Sequence, residues 1–336
     1  MKLYDQFIKD SKTGKRLQKN GTRIKLSSIG NYEFLRKLLA DFSVKKQFNL
    51  RIRQITRFKK EELEIEKRYW MQFYKTFTAY LYDDCDCYDN FVGSNIKKLR
   101  TFFNYLKSER DLNIGTFYKL FYVYNEEIET VSLTPEQLNF LIYNKVFEDS
   151  LPVHLVKTKD MFVFGCTVAL RVSDILNLTW NNIEKINGES YLKIISQKTQ
   201  TFTKIILPDY AVIILKKYTD NQERIFPKIT NSRLNKNIKS LIELTNWTET
   251  RIKTRQKRGM PIHVLKNNEK YRFCDHITSH TMRRTAITNL LCLGVPENVV
   301  RKISGHTANS KEFFKYVELS QKFIDTESEK AWDHLK

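Results

Sequence analysis

One break in periodicity constrains this chain more than any other feature. Over residues 181–208, "NNIEKINGESYLKIISQKTQTFTKIILP", apolar positions stop recurring every three to four residues and alternate instead. Alternation is the signature of strands whose side chains point to opposite faces. The Asn187-Gly188 pair suits a tight hairpin turn, and "QKTQ" separates two further β-rich runs. A small antiparallel sheet of about three strands is expected there. Most of the surrounding chain keeps the helical period. "IGNYEFLRKLLADF" sets Ile29, Tyr32, Leu35, Leu38, Leu39 and Phe42 at helical spacing, and "SNIKKLRTFFNYLKSE" does so with Ile96, Leu99, Phe102, Phe103 and Leu106 behind a Ser94 cap. The expected fold class is mainly α with a small antiparallel β-sheet.

The 336 residues, 41% of them hydrophobic, suffice for two cores. A boundary falls near residues 125–133, where "NEEIETVSL" leads into "TPEQLNFLIYN", with Thr134 as N-cap, Pro135 at the first helical position and Gln137 completing a capping box. We therefore expect a helical domain over 1–128 and a second domain over 129–336, its C-terminal tail at 318–336. In the first, the aromatic stripe "YWMQFYKTFTAYLY" is expected in the core. The acidic run "DDCDCYDN" (83–90) reads as a solvated loop, because its carboxylates and thiolates favour different metals and Asp/Asn-rich runs between helices are usually turns. In the second, "MFVFGCTVAL" is apolar on all sides and reads as a buried helix.

Charge narrows the partners. Lys and Arg number 58 against 38 Asp and Glu, a formal net charge of +20. Such an excess opposes compaction unless a polyanion offsets it, so nucleic acid is the first partner to consider. The stretch "RIRQITRFKK" (51–60) concentrates positive charge, and the basic N-terminal helices together with "RIKTRQKRG" (251–259) are expected to supply sequence-independent phosphate contacts. No apolar run approaches the roughly 20 residues of a spanning helix. The opening Met-Lys-Leu-Tyr-Asp lacks a signal peptide's apolar core, and a soluble cytoplasmic protein is expected. The five cysteines, Cys85, Cys87, Cys166, Cys274 and Cys292, form no CxxC pair and suggest neither a disulfide framework nor a zinc site.

Chemistry enters with "SHTMRRTAIT" (279–288). If Ser279 caps a helix, His280 and Arg283 share one face beside the positive end of the macrodipole. Backbone N–H groups, an imidazole and a guanidinium fork would then converge on an anion, and a phosphate oxygen pair matches the fork. A lone HxxR string is common by chance. Here it is accompanied by "ALRVSDILNLTW" and "SQKTQ" upstream and "ISGHTANSKEFFKY" downstream. With this ordered set the chain resembles the tyrosine recombinase (phage integrase) family, from about residue 134 to the end and more loosely in the N-terminal helices. Val168-Ala169 stands where the family usually carries Thr-Gly.

The resemblance implies a helical core-binding domain followed by a mixed α/β catalytic domain of tyrosine recombinase type. It implies a catalytic set of Arg171, Lys198, His280, Arg283, His306 and Tyr316, with Asp174 steadying Arg171. Clustered cations suit that task, because a phosphodiester repels nucleophiles and a free tyrosine titrates near 10. By resemblance, the arginines bind the non-bridging oxygens, His306 adds a hydrogen bond, His280 takes the phenolic proton, Lys198 protonates the departing 5′ oxygen, and Tyr316 holds the DNA as a 3′-phosphotyrosine. No metal and no other cofactor is implied. The implied partners are double-stranded DNA carrying specific recombination sites, further copies of the chain (a tetramer in synapsis) and DNA-bending accessory proteins. The tail would dock on a neighbouring copy or fold back as a helix on its own domain. Alternatives are a non-catalytic DNA-binding regulator using the same fold and a type IB topoisomerase-like enzyme that reseals the strand it cut.

Overall fold

A computed structural model describes residues 1–55, 60–196, 200–220, 223–306, 310–318 and 320, together with 325, 328, 329 and 332. Along the chain run α1 (Lys2–Thr13), α2 (Leu26–Lys45), α3 (Lys60–Ala79), α4 (Asp89–Ser108), α5 (Pro135–Tyr143), α6 (Lys145–Ser150), α7 (Val153–Val168) and α8 (Val172–Ile175). Then follow β1 (Ile183–Ile186), β2 (Glu189–Ile195), β3 (Phe202–Ile206), α9 (Asp209–Lys216) and α10 (Asn231–Glu243). The remainder comprises β4 (Thr250–Arg251), β5 (Lys253–Lys257), β6 (Met260–Val264), β7 (Tyr271–Arg272), α11 (Phe273–His276), α12 (Ser279–Cys292), α13 (Glu297–Ser304) and α14 (Lys311–Glu318). Two compact units result. One comprises Met1–Ile128 with Lys253–Val264, the other Glu129–Ile252 with Leu265–Lys336. No helix of the described residues is long and apolar enough to cross a membrane.

The first unit is built on aromatic packing. Tyr4 and Phe7 of α1, Leu35, Leu39 and Phe42 of α2, Trp70, Phe73 and Phe77 of α3, and Leu99, Phe102 and Phe103 of α4 share one core. The aromatic stripe lies in that core, with Phe73 stacked on Phe77 at 5.5 Å and Trp70 edge-on to Phe103 at 4.7 Å. One expectation is corrected here: α4 starts at Asp89, and Ser94 lies inside it instead of capping it. Gly93 reads like an interruption, yet it is helical. A Cβ at that position would overlap the carbonyl oxygen of Tyr124, so the glycine marks where another backbone segment crosses the helix.

A hairpin taken from much later in the chain completes this unit. β5 and β6 pair antiparallel from Lys253↔Val264 to Lys257↔Met260. They turn through Arg258 and Gly259, whose φ values of 57° and 76° suit a two-residue turn. The acidic run is thus not a solvated loop. Asp89, buried, accepts Arg258 N–H at 2.7 Å on one oxygen and Gly259 N–H at 2.8 Å on the other, and Tyr82 donates its hydroxyl to it at 2.7 Å. Asp86 pairs with Lys257 and Asp83 with Arg258, both at 2.7 Å. Glu126, fully buried at its side chain, accepts from Arg255 at 2.6 and 3.0 Å and from Gln256 N–H at 2.5 Å. Three cations of the second basic stretch are therefore engaged by carboxylates of their own unit. Composition could not show this, because the complementary charges lie far apart in sequence.

In the second unit α5 carries its capping box, Gln137 N–H donating to Thr134 Oγ1 at 3.2 Å and Thr134 N–H to Gln137 Oε1 at 3.0 Å. The three-stranded sheet has the order β1-β2-β3, all antiparallel. Asn187 and Gly188 form its first turn with φ of 50° and 86°. Leu192 and Ile205, cross-strand partners, point into the core. The all-apolar helix is α7, where Met161, Phe162, Val163, Phe164 and Cys166 are all buried. It packs on α12 at Gly165, where a Cβ would stand 2.5 Å from Met282 Sδ and 3.0 Å from Met282 Cβ. Only a residue without a side chain allows that approach.

Candidate active site

The first arginine owes its place to the end of α7. Ala169, fully buried, adopts a left-handed φ of 54° and reverses the chain, a conformation that costs an L-residue with a Cβ about 1–2 kcal/mol. The backbone then extends through Arg171, the N-cap of α8. Arg171 Nη1 donates to Ser196 Oγ at 3.1 Å, and the Ser196 hydroxyl donates to Asp174 Oδ2 at 2.9 Å. Asp174 is buried in the first turn of α8. Ser196 closes the β2–β3 connection, its N–H donating to Thr201 O at 3.0 Å. Lys198, assigned to that connection, lies outside the described residues.

The N-terminus of α12 supplies the next pair. Thr278, not Ser279, is the N-cap, its N–H donating to Thr281 Oγ1 at 3.0 Å. Ser279 is instead pinned to α10, with its N–H on Asn235 Oδ1 at 2.7 Å and its hydroxyl on Asn231 Oδ1 at 2.9 Å. That anchoring fixes the turn bearing His280, which is exposed. Arg283 is 3% exposed. Its Nη1 donates to Ala169 O at 2.8 Å and its Nη2 to Ser304 O at 2.7 Å. Both carbonyls sit at helix C-termini, the negative ends of the macrodipoles of α7 and α13. Two main-chain oxygens orient the guanidinium without neutralising it.

The third piece follows α13. Gly305 ends this helix at φ 65°, and His306 N–H returns to Arg301 O at 2.9 Å. His306 Nδ1 is 2.7 Å from Ser304 Oγ and its Nε2 is 3.1 Å from Arg283 Nη2. Burial, and after it the charges of Arg283, Arg171, Arg301 and His280, pull the His306 pKa down to about 3. The ring is therefore neutral at neutral pH. Tyr316 of α14 is 7% exposed and packs with Ala169, Ala286, Ile287, Leu291, Val300 and Phe313 of its own unit, its ring 5.6 Å from that of His306. Burial, followed by the charge of Arg171, lowers Arg283 to about 10, with Tyr316 and Asp174 opposing the shift. The guanidinium remains charged. The structure thus gathers Arg171, Asp174, His280, Arg283, His306 and Tyr316 into one electrostatic neighbourhood.

The model of the phage integrase family matches residues 132–322, more than half of the chain. The chain belongs to the phage integrase family. Its fold is that of tyrosine recombinases. A lambda integrase dimer bound to a COC′ core site aligns at 12% identity over 94% of this chain and 76% of that one, with a TM-score of 0.55. The Tn1549 transposon integrase in complex with transposon right end DNA aligns at 15% identity over 97% and 98%, with a TM-score of 0.58. The XerH recombinase bound to palindromic difH aligns at 14% identity over 78% and 72%, with a TM-score of 0.51. No curated protein sequence matches it.

Within this chain the motifs quoted from the sequence account for the charged groups but not for what holds them. Ser196, Ser304, Gly165, Asn231 and Asn235 were not singled out. Ser196 and Ser304 stand inside the quoted strings "SQKTQ" and "ISGHT", yet nothing local distinguishes them from other polar residues near turns. Among the described residues no group of three or more His, Cys, Asp or Glu side chains is placed to hold a metal ion.

Proposed function

We propose that this chain cuts and rejoins double-stranded DNA at specific sites through a covalent bond to Tyr316. The observation that carries the reading is the meeting of Arg171, Arg283, His280 and His306 beside one phenol, with Asp174 and Ser196 bracing the first arginine. Preorganised cations stabilise charge as it builds on a phosphoryl group and need no reorganisation during reaction. In the proposed step the Tyr316 oxygen attacks the scissile phosphorus as its proton passes to His280. The bond from phosphorus to the 5′ oxygen breaks, and that oxygen takes a proton from Lys198. Arg171 and Arg283 hold the non-bridging oxygens. A 5′-hydroxyl from another strand then attacks the phosphotyrosine and releases Tyr316, so bond energy is conserved and ATP is not consumed. Partners under this reading are duplex DNA with recombination sites and further copies of the chain, tetrameric in synapsis, with accessory DNA-bending proteins. The event served is integration or excision of a phage or other mobile element.

The test uses nicked duplexes that carry the ends of the mobile element, resolved on denaturing gels. The expected result is a covalent protein–DNA adduct that Tyr316→Phe abolishes while duplex binding persists. Recombination of two marked duplexes distinguishes a recombinase from an enzyme that only reseals its own cut. Absence of any adduct on a duplex that both proteins bind equally would leave a DNA-binding regulator as the better reading.

A further inference from the structure

We propose that Ser304 is a positioning residue for His306, holding the imidazole as its Nδ1–H tautomer with the bare Nε2 turned toward Arg283. This rests on the site being the catalytic one and adds a residue to it. Four distances carry the argument. Ser304 Oγ is 2.7 Å from Val300 O, a carbonyl that can only accept, so the hydroxyl hydrogen is directed there. Ser304 Oγ is also 2.7 Å from His306 Nδ1, which must then be the donor. Arg283 Nη2, which has only hydrogens to offer, is 3.1 Å from Nε2 and 3.3 Å from Nδ1, and with the Nδ1–H committed to Ser304 only Nε2 keeps a lone pair for it. The reverse assignment would set a bare Nδ1 against a Ser304 oxygen whose hydrogen is already on Val300 O. Ser304 also carries the carbonyl that takes Arg283 Nη2 at 2.7 Å, so one residue orients both the arginine and the histidine.

The other charged and titratable neighbours of the ring, Arg171, Arg301 and His280, favour its neutral form, as does Arg283. The arrangement has a use in the reaction. When a phosphate draws the Arg283 fork onto itself, the Ser304 hydroxyl can turn from Val300 O to Nδ1. Nδ1 then gives its proton to solvent water and Nε2 takes one from it, so that Nε2–H can donate to a non-bridging oxygen. The imidazole carries one proton before and after, so it becomes a donor without adding charge to a site already crowded with cations.

The experiment is a long-range proton–nitrogen correlation spectrum of the full chain labelled with 15N-histidine at neutral pH, the His306 signals being those lost in His306→Gln. The expected pattern is a neutral ring protonated at Nδ1, lost in Ser304→Ala and restored in Ser304→Thr, which keeps the hydroxyl. A wild-type His306 that is protonated at Nε2 or doubly protonated would overturn the proposal, and so would a Ser304→Ala spectrum superimposable on wild type. The wild-type spectrum decides even if a variant fails to fold. No DNA is present, so failure here leaves the adduct test intact, and failure of the adduct test leaves this pattern standing.

Discussion

Replacing Arg255 by methionine tests whether a hairpin from the far end of the chain completes the first unit. Glu126 would lose both guanidinium contacts and keep Gln256 N–H at 2.5 Å and Asn90 N–H at 3.5 Å. Removing one partner of a buried pair costs about 3–5 kcal/mol. The remaining N–H donors place this case near the lower end, to which the loss of Arg255 from above the Tyr88 ring at 4.3 Å adds about 0.5–1 kcal/mol. With a urea dependence of about 2 kcal/mol per molar, the unfolding midpoint of this unit should fall by roughly 1.5–2 M. The assay is fluorine NMR of the 5-fluorotryptophan-labelled chain, because Trp70 is the tryptophan of the first unit and its signal follows that unit alone. The double variant Arg255→Met/Glu126→Met should regain more than half of the loss, since an apolar pair can replace a buried ion pair at little cost. Burial raises the Glu126 pKa, but the Arg255 and backbone hydrogen bonds outweigh it and the net shift is downward. Its stabilisation is thus complete above the unfolded carboxylate value of about 4.3 and is lost as pH falls through the lower folded one. The difference between wild type and Arg255→Met should therefore shrink in acid. A loss below about 0.5 kcal/mol at neutral pH, the size of an exposed pair, would refute the reasoning.

Gly165→Ala should gain about 1 kcal/mol of helix propensity and lose about 1–3 kcal/mol to overpacking against Met282, a modest change in urea midpoint. Arg283 follows Met282 directly, so adduct formation should fall about 100-fold, and a variant as active as wild type would contradict the packing. Ala169→Gly relieves about 1–2 kcal/mol of left-handed strain against about 0.8 kcal/mol for a buried methyl and about 0.4–1 kcal/mol of unfolded-state entropy. A denaturation curve within about 1 kcal/mol of wild type is expected, whereas a large loss would show that the methyl matters more than the backbone. For His306, folded near 3 and unfolded near 6.5, the unfolded state binds more protons between these values, so stability is present above the upper value and declines on acidification. His306→Gln should flatten that part of the stability profile, and an unchanged acid limb would count against a neutral buried ring.

The helices were legible where apolar spacing was strong, as in α2 and α7, because burial of one face or of all faces leaves a periodic trace. The start of α4 was not, since Gly93 reflects a crossing backbone and not a local preference. The hairpin at 253–264 was not legible, its basic residues reading as phosphate contacts and the acidic run as loop, because each is explained only by the other. At the candidate site the charged residues were legible through the resemblance of their motifs to the tyrosine recombinase family. Their supports were not. Ser279 was expected to cap α12, but the preceding Thr278 does so, and the serine was drawn to α10 by Asn231 and Asn235. Lys198 and most of the 318–336 tail lie outside the described residues.

The grip on Arg283 comes from peptide oxygens at positions 169 and 304, which every amino acid possesses. A mutational scan that swaps side chains there would leave this grip almost silent, registering only changes that bend the chain, such as proline. Side chains at these positions bear on the guanidinium's place only as far as they move the backbone, and an engineer seeking to loosen it must alter the helix ends themselves.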